Sequence, residues 1–165
     1  MLSKAKEAGI RTPYVYFLDT YRNEIVMEYI EGVNLKTVFS AELALKLGKC
    51  VAKLHSKNIM HGDITTSNFI LQSHPHNSYT ELVIIDFGLS FFSHRMEDMA
   101  SEVRMFQEVL NSVHNKISDR AFSNFSKAYS LFSPPERGRK VLERVHEIQS
   151  RGRYSRISNS SELHS

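Results

Sequence analysis

The sequence predicts an α+β fold in which helices form the majority. Three observations lead to this prediction. Two short runs near the N-terminus are rich in β-branched and aromatic residues, one continuous apolar run lies near the middle, and most of the remainder carries apolar residues at helical spacing. A length of 165 residues suits one domain, and an apolar content of 41% is enough to build a core.

The N-terminal part predicts the end of a helix followed by a β-hairpin. Residues 3–8 have helical character, and Gly9 can end the helix. The runs YVYFLD (14–19) and EIVMEY (24–29) are rich in strand-forming residues and are separated by the short segment TYRN, so they predict two antiparallel strands. Residues 31–35 predict a turn.

A helix and a second strand pair are predicted in the middle of the chain. Ser40 is suited to cap the helix, and Asn58 can end it in the left-handed conformation. Its apolar face comprises Leu43, Leu47, Val51 and Leu54. The runs FIL (69–71) and LVIID (82–86) predict strands, and the second should be buried because it is continuously apolar and β-branched.

The C-terminal half predicts three helices. The first carries the stripe Met99, Val103, Phe106, Leu110 and Val113. The second carries Phe122, Phe125, Tyr129 and Phe132, which we interpret as core residues and not as a cofactor site. Ser133-Pro134-Pro135 opens the third, and residues 150–165 lack an apolar period and predict a flexible tail.

The charge of the chain is concentrated near its C-terminus. The net charge is +3, but residues 137–156 alone hold seven Arg or Lys against two Glu. Arg151, Arg153 and Arg156 stand among Gly, Ser and Tyr, a pattern that suits contact with an acidic partner or a phosphate backbone. The alternative is a solvated tail that only aids solubility.

The cysteine content and the distribution of apolar residues indicate the cellular compartment in which the protein functions. Cys50 is the only cysteine, so no intramolecular disulfide can form and a reducing interior compartment is favoured. No apolar run approaches the roughly 18 residues that a membrane span requires, and the polar N-terminus does not resemble a secretory signal peptide. We therefore expect no membrane partner.

Two motifs contain the residues best suited to chemistry. HGDITTSN (61–68) places Asp63 and Asn68 five positions apart on one loop, and VIIDFGLS (83–90) places Asp86 at the end of a predicted strand. A hairpin of the two predicted strands would bring these residues together. Phosphoryl transfer needs a group that orients the attacking hydroxyl and hard oxygen ligands that hold Mg²⁺ on the phosphates. The motifs therefore predict a phosphoryl-transfer site.

The same motifs resemble a known family. H-G-D-x-x-x-x-N followed by D-F-G resembles the catalytic loop and metal loop of the protein-kinase fold, and VMEYIEG (26–32) resembles its hinge. With AGIRTP (8–13), the set resembles the small atypical kinases of the KEOPS complex, which makes threonylcarbamoyladenosine on transfer RNA. The resemblance covers most of residues 5–156. It implies a kinase-like domain over 1–149, with an N-lobe remnant and hinge (1–30), a C-lobe (31–149) and a basic tail (150–165).

The resemblance also implies roles for individual residues, with ATP and Mg²⁺ as cofactors. Asp63 would be the base or hydroxyl-orienting residue, and Asn68 and Asp86 would bind Mg²⁺. His61 is interpreted as structural. The residues implied for the adenine site are the backbone of Glu28 and Ile30, Met27 behind the base, and Ile70 and Ile85 along the pocket.

The partners implied by the resemblance are macromolecular. They are the threonylcarbamoyl-transferase subunit of KEOPS, other small KEOPS subunits, and tRNA either directly or through the complex. Arg151, Arg153 and Arg156 would bind the transferase subunit. The implied location is the cytoplasm, the nucleus or both.

The sequence departs from ordinary kinases in several places. Gly62 replaces the arginine of regulated kinases, Thr65 replaces a lysine beside the transferred phosphate, and only LSFFSHRM separates Gly88 from the next helix. No Gly-rich phosphate loop or strand lysine is present. Met1 is then an internal methionine, or the chain is a truncated form, or the protein is a reduced one that no longer clamps phosphate. We favour the first because Asp63, Asn68 and Asp86 are retained, and we expect this chain alone to be nearly inactive.

Three functions remain open at this point. The first is an atypical serine/threonine kinase, of the non-specific protein-kinase type, or ATPase that serves tRNA threonylcarbamoylation. The second is a catalytically weak kinase-like scaffold that binds the transferase subunit. The third is a small-molecule phosphotransferase of the aminoglycoside or choline kinase type, which ranks lower because those enzymes usually lack Phe-Gly after the metal aspartate.

Overall fold

A computed structural model describes residues 1–73 and 79–161, and the side chains as far as residue 150. Within these ranges the helices are α1 (Leu2–Glu7), α2 (Leu35–Val38), α3 (Leu43–Ser56), α4 (Met96–Val113), α5 (Ser118–Phe132) and α6 (Pro135–Ser161). The strands are β1 (Val15–Asp19), β2 (Glu24–Met27), β3 (Val33–Asn34), β4 (Ile59–Met60), β5 (Phe69–Ser73), β6 (Thr80–Ile84) and β7 (Phe91–Phe92). The predicted α+β class with a helical majority is confirmed.

The predicted N-terminal hairpin is confirmed. β1 and β2 pair antiparallel, with Leu18 opposite Ile25. Both strands expose apolar side chains, and Phe17, Leu18 and Val26 are each more than half accessible. Pairing therefore satisfies the backbone of this hairpin, while its side chains contribute little to the core.

A three-stranded antiparallel sheet in the order β3-β5-β6 holds the middle of the chain. The predicted pairing of the strand around 69–71 with the strand around 82–86 is confirmed, with Phe69 opposite Ile84. The prediction of a turn over 31–35 is wrong in part, because Val33–Asn34 forms β3 beside β5 and Leu35 begins α2. Asn34 makes this possible, since its side chain accepts a hydrogen bond from the backbone N–H of Lys36 and so caps α2.

A second short pairing was not predicted from the sequence. β4 and β7 pair antiparallel, with Ile59 opposite Phe92 and Met60 opposite Phe91. β4 directly precedes the 61–68 loop, and β7 directly follows the 83–90 segment. The pairing therefore closes the base of the two predicted functional motifs.

The core lies between α3, α4 and α5. Phe125 packs against Phe106 with ring centroids 4.7 Å apart and stacks on Tyr129 at 6.0 Å, and all three side chains are fully buried. Two members of the predicted stripes lie outside the core, because Val113 and Phe132 end their helices and are 46% and 43% exposed. The Lys49 ammonium instead covers the Phe132 ring at 4.5 Å.

The end of α6 differs from the prediction of a flexible tail. The backbone of residues 150–161 continues this helix. The side chains of Arg151, Arg153 and Arg156 lie outside the described part of the structure, as does everything from 162 to 165. None of the helices in the described ranges is long and apolar enough to cross a membrane.

Candidate active site

Asp63 and Asn68 lie together at the centre of the 61–68 loop. The Asn68 amide nitrogen donates to the Asp63 carboxylate Oδ2 at 2.8 Å and to the Asp63 backbone oxygen at 3.0 Å. A 3₁₀ turn at Thr66–Asn68 produces this contact by folding the loop back on itself. Because the amide nitrogen faces Asp63, the amide oxygen is the atom of Asn68 that is suited to bind a cation.

β5 and β6 bring the second aspartate to the same place. The backbone N–H of Ile85 donates to the backbone oxygen of Asn68 at 3.1 Å, so Asp86 directly follows a residue that is bonded to the 61–68 loop. The Asp86 side chain is exposed, and its Oδ1 accepts from the Gly88 N–H at 2.7 Å. The structure therefore places Asp63, Asn68 and Asp86 in one neighbourhood, as the sequence predicts.

His61 packs beneath this neighbourhood. Its ring lies 5.1 Å from the Phe87 ring and stacks on Phe69 at 6.1 Å, and its Nδ1 accepts from the Asp63 N–H at 3.3 Å. Burial lowers the pKa of His61. The nearby carboxylates of Glu102, Asp63 and Asp86 act in the opposite direction and raise the pKa, but the net result is a lowered value. The geometry agrees with a structural role in which a neutral ring supports the loop.

Gly62 is required by the way the loop meets the segment after Asp86. Its φ is +84°, and a Cβ there would come within 2.2 Å of the Leu89 carbonyl oxygen. No side chain fits at this position, so the arginine of regulated kinases could not be accommodated in this conformation. The departure found in the sequence therefore has a steric cause.

A buried polar network holds the backbone of Gly62, and sequence reasoning missed it. Glu102 of α4 accepts from the Gly62 N–H at 2.5 Å and contacts the His55 Nε2 at 2.7 Å. The other ring nitrogen of His55 lies 2.8 Å from the Tyr129 hydroxyl. His55 and Tyr129 are fully buried and Glu102 is 5% exposed. Burial raises the pKa of Tyr129, so the hydroxyl stays protonated.

A signal for this network was present in the sequence. Glu102 falls inside the apolar stripe of α4 between Met99 and Phe106, and His55 follows Leu54 directly on the buried side of α3. An ionisable residue on an apolar helix face is normally paired when it is buried. Two such residues on two helices indicate a buried partner pair.

Two further contacts fix the rest of the loop. The Thr66 hydroxyl lies 3.0 Å from the His114 Nε2, and the Asn34 side-chain amide donates to the Ser67 backbone oxygen at 2.7 Å. His114 in turn packs on the Phe39 ring at 4.5 Å. The loop is therefore held from α4, from the turn after α4 and from β3.

The predicted hinge is tied to β6 by Arg11. The Arg11 guanidinium binds both carboxylate oxygens of Glu28, and the Arg11 backbone oxygen accepts from the Ile84 N–H at 3.0 Å. Hydrogen bonding to Arg11 holds the pKa of Glu28 below its ordinary value. One residue thus connects the hinge to the strand that ends beside Asp86.

The predicted adenine-site residues fall in two groups. Ile70 and Ile85 alternate with the buried Phe69 and Ile84, so they share the face of the sheet opposite the core. At the hinge, the Glu28 N–H already donates to the Tyr14 oxygen at 2.7 Å. The Glu28 carbonyl is therefore the hinge group suited to adenine. Met27 is 41% exposed on β2, whereas Ile30 is buried.

The described residues hold no group of three or more His, Cys, Asp or Glu side chains arranged as a metal site. The donor set that the sequence predicts consists of two side chains, Asp86 and Asn68 through its amide oxygen. Mg²⁺ retains several waters and commonly takes one or two carboxylates besides phosphate oxygens. These hard oxygen donors fit Mg²⁺.

Comparison with known proteins identifies relatives over most of the chain. A model of the ABC1 atypical kinase-like domain matches residues 2–121. The KEOPS complex subunit Bud32 of Pyrococcus abyssi is 35% identical over 161 residues, which cover 93% of this chain and 70% of the relative. A probable bifunctional tRNA threonylcarbamoyladenosine biosynthesis protein of Methanobrevibacter smithii is 39% identical over 155 residues, or 94% of this chain. The chain spans only 28% of that longer relative.

A solved structure supports the fold independently. The structure described as WaaP in complex with acyl carrier protein matches with a TM-score of 0.64 over 98% of this chain and 73% of that chain. The two sequences are only 16% identical, so the likeness concerns the fold alone.

Proposed function

The chain belongs to the ABC1 atypical kinase-like family and to the family of the KEOPS subunit Bud32, and from this membership we propose that it is a phosphotransferase or ATPase subunit that supports threonylcarbamoyladenosine modification of tRNA. The observation that carries the proposal is the hydrogen bond from the Ile85 N–H to the Asn68 oxygen. This bond joins the two motifs, so that Asp63, Asn68 and Asp86 can address one bound nucleotide.

The proposed reaction transfers the terminal phosphoryl group of ATP to a hydroxyl of a protein side chain or of water. The bond between the γ-phosphorus and the bridging oxygen breaks, ADP leaves, and the hydroxyl oxygen forms the new bond to phosphorus. The Asp63 carboxylate orients that hydroxyl and accepts its proton. The Asn68 amide keeps Asp63 in place through the bond at 2.8 Å.

The proposed cofactors are ATP and Mg²⁺, the latter bound by Asp86 and by the Asn68 amide oxygen. When bound, Mg²⁺ would supply charge stabilisation to the phosphate oxygens. Adenine would bind to the hinge through the Glu28 carbonyl and the Ile30 backbone, with Met27 behind the base and Ile70 and Ile85 on the sheet face. The ion pair between the Glu28 carboxylate and Arg11 supports this arrangement because it fixes the hinge.

Replacing Asp63 tests the proposed chemistry. We expect Asp63→Ala to lower kcat for MgATP turnover by about 10²-fold to 10⁴-fold, the range of general-base contributions. The KM for ATP should change little, because Asp63 addresses the hydroxyl and not the nucleotide. Steady-state kinetics in the natural gene product that carries this chain, with its partner subunits present, give both values. An unchanged kcat would contradict the role assigned to Asp63.

A second candidate function is a scaffold that holds the transferase subunit and needs no turnover. The exposed apolar side chains of β1 and β2 favour it, because such surfaces mark protein contacts. Complementation of tRNA modification by Asp63→Ala separates the two functions. Restored threonylcarbamoyladenosine without ATP turnover would support the scaffold, and loss of the modification with intact complex assembly would support the enzyme.

The proposed partners are the threonylcarbamoyl-transferase subunit, the small KEOPS subunits and tRNA. The C-terminal arginines Arg151, Arg153 and Arg156 are proposed to bind an acidic surface of the transferase subunit. We expect the triple alanine variant of these arginines to weaken binding to that subunit, and more strongly at low salt than at high salt, because the attraction is electrostatic.

The matched control for this prediction replaces three exposed cations elsewhere, Arg22, Lys57 and Lys127, with alanine. Pull-down of the transferase subunit at two salt concentrations measures the effect. Equal recovery for both triple variants at low salt would show that the arginines only solvate the tail.

A further inference from the structure

His114 ends α4 and begins the turn that follows it. Its backbone φ of −125° and ψ of 39° lie outside the helical range, while its N–H still donates to the Leu110 oxygen at 2.9 Å. Its carbonyl oxygen accepts from the Ile117 N–H at 3.0 Å, which closes the 3₁₀ turn Asn115–Ile117. The backbone is therefore bonded on both sides, and two elements together set the direction of the His114 side chain.

The ring of His114 packs against the residue that ends α2. Its centroid lies 4.5 Å from that of the Phe39 ring. Phe39 packs in turn against the hydrophobic core, so it gives the imidazole a fixed surface. Burial lowers the pKa of His114, and the charge of Lys36 acts in the same direction. The ring is therefore neutral at neutral pH, and one of its two nitrogens can accept a hydrogen bond.

The Nε2 atom of His114 reaches the loop that carries Asp63 and Asn68. It lies 3.0 Å from the Thr66 hydroxyl, which is a hydrogen-bond distance. Thr66 is 1% exposed and is the first residue of the 3₁₀ turn Thr66–Asn68. A buried hydroxyl needs a partner, because it has lost its contact with water. The His114 ring therefore holds the first residue of this turn.

The turn that starts at Thr66 determines where Asn68 points. The Asn68 N–H donates to the Thr65 oxygen at 3.1 Å and so closes the turn. The Asn68 side-chain amide then donates to the Asp63 carboxylate at 2.8 Å, which leaves its oxygen as the atom suited to a cation. A rotation of the turn would move the amide nitrogen and the amide oxygen together away from these positions.

His114 and Glu102 hold different ends of the 61–68 loop. Glu102 accepts from the Gly62 N–H at the start of the loop, whereas His114 contacts Thr66 near its end. Loss of the His114 contact would therefore release the end of the loop while its start stays fixed. This difference makes the two restraints separable by experiment.

From these contacts we propose that His114 is a positioning residue for phosphoryl transfer, which acts through Thr66 to keep Asn68 in place. The proposal rests on the proposed function for the reaction itself. The restraint on the turn does not depend on that function, so it can be measured without nucleotide. The alternative is that the imidazole only fills space beside Phe39, in which case another ring of similar size would serve equally well.

The variant His114→Phe separates the hydrogen bond from the packing, because phenylalanine keeps an aromatic ring in the same place but has no nitrogen for Thr66. The control is His146→Phe, which makes the same replacement at an exposed position on α6. Hydrogen exchange, measured without nucleotide, should become faster at the Asn68 amide in the first variant only. The Gly62 amide should stay protected in both variants.

Kinetics in the natural gene product that carries this chain, with its partner subunits present, test the effect on the reaction. We expect His114→Phe to lower kcat for MgATP turnover about tenfold, with a KM for ATP within about twofold of wild type at saturating Mg²⁺. Thr66→Val removes the other half of the hydrogen bond and should have the same effect. The double variant should be no more than about twofold slower than either single variant, because both substitutions remove one interaction.

Three results would overturn the proposal. They are unchanged exchange at the Asn68 amide in His114→Phe, an unchanged kcat in that variant while the wild-type protein turns over ATP, and losses that multiply in the double variant. If the wild-type protein showed no turnover, the proposed function would fail, and the exchange of the Asn68 amide alone would decide whether His114 holds the turn.

A conservative variant covers the case in which His114→Phe folds poorly, as a thermal melt would show. His114→Gln lacks the ring but has an amide that can bond to the Thr66 hydroxyl. It should keep slow exchange at the Asn68 amide and most of the wild-type kcat. Fast exchange or a tenfold loss of kcat in His114→Gln would count against the hydrogen bond and favour the packing alternative.

Discussion

Replacement of Asp86 by alanine is expected to reduce Mg²⁺-dependent ATP turnover by about 10³-fold or more. A bound metal contributes several kcal/mol of charge stabilisation, and each ~1.4 kcal/mol changes the rate tenfold. The substitution should leave the fold intact, because the side chain is exposed and makes one described hydrogen bond, to the Gly88 N–H. Loss of that bond should lower the free energy of unfolding by only about 1 kcal/mol.

Asp86→Asn separates metal binding from loop support. Asparagine keeps an oxygen that can accept from the Gly88 N–H but lacks the negative charge. Both variants should therefore lose turnover if Asp86 binds Mg²⁺. A matched control is Asp119→Ala, which removes an exposed carboxylate from the first turn of α5. Turnover assays with a titration of Mg²⁺ make the comparison, and near-normal activity of either Asp86 variant would contradict the metal assignment.

The sequence predicted that Asp63, Asn68 and Asp86 lie together because their relation is local. Asp63 and Asn68 are five positions apart, and the continuous apolar, β-branched run before Asp86 predicted a strand that ends next to them. The network around Glu102 could not be obtained in the same way. The residues in its three contacts are separated along the sequence by 40, 47 and 74 positions. Only the packing of α3, α4 and α5 brings them together.

A helix or strand could be predicted where its own sequence shows an apolar pattern. The long helices and the two hairpins were predicted because each contains several residues of one pattern. β3, β4 and β7 contain two residues each, which is too few to show a periodic pattern. These strands form because another segment of the chain pairs with each of them. Val113 and Phe132 fit their stripes yet are exposed, because each stripe runs past the end of the packed surface.

Replacement of Glu102, the centre of the buried polar network, is expected to have the second large effect. Glu102 is the acceptor for the Gly62 N–H and the partner of the His55 ring. Its removal would leave the half-buried Gly62 amide and the buried His55 imidazole without that partner, and each unsatisfied buried group costs about 1–3 kcal/mol. Glu102→Ala should therefore lower the free energy of unfolding by about 2–5 kcal/mol and lower Tm by several degrees.

The same substitution should also lower turnover more than nucleotide affinity. Gly62 immediately precedes Asp63, and Glu102 is the group that fixes the Gly62 amide from α4. When that restraint is lost, the Asp63 carboxylate is positioned less well, while Glu28 and Ile30 at the hinge are untouched. We expect a reduced kcat with a nearly unchanged KM for ATP, which a loss of stability alone would not produce at a temperature well below Tm.

A conservative variant and a control variant test this prediction. Glu102→Gln keeps a side-chain oxygen for the Gly62 N–H and an amide nitrogen that can donate to the His55 Nε2, so its loss of Tm should be clearly smaller than that of Glu102→Ala. Glu108→Ala removes an exposed carboxylate that pairs with Arg104 on the same helix and should change the free energy of unfolding by less than about 1 kcal/mol.

Thermal melts and hydrogen exchange at the Gly62 amide together test the role assigned to Glu102. The amide should exchange slowly in the wild-type protein and in Glu108→Ala, because the Glu102 carboxylate holds it at 2.5 Å, and much faster in Glu102→Ala. If Glu102→Ala melted within a degree of Glu108→Ala and kept the amide protected, the loop would be held without α4. Positioning of Asp63 would then rest on the contacts from His114 and Asn34.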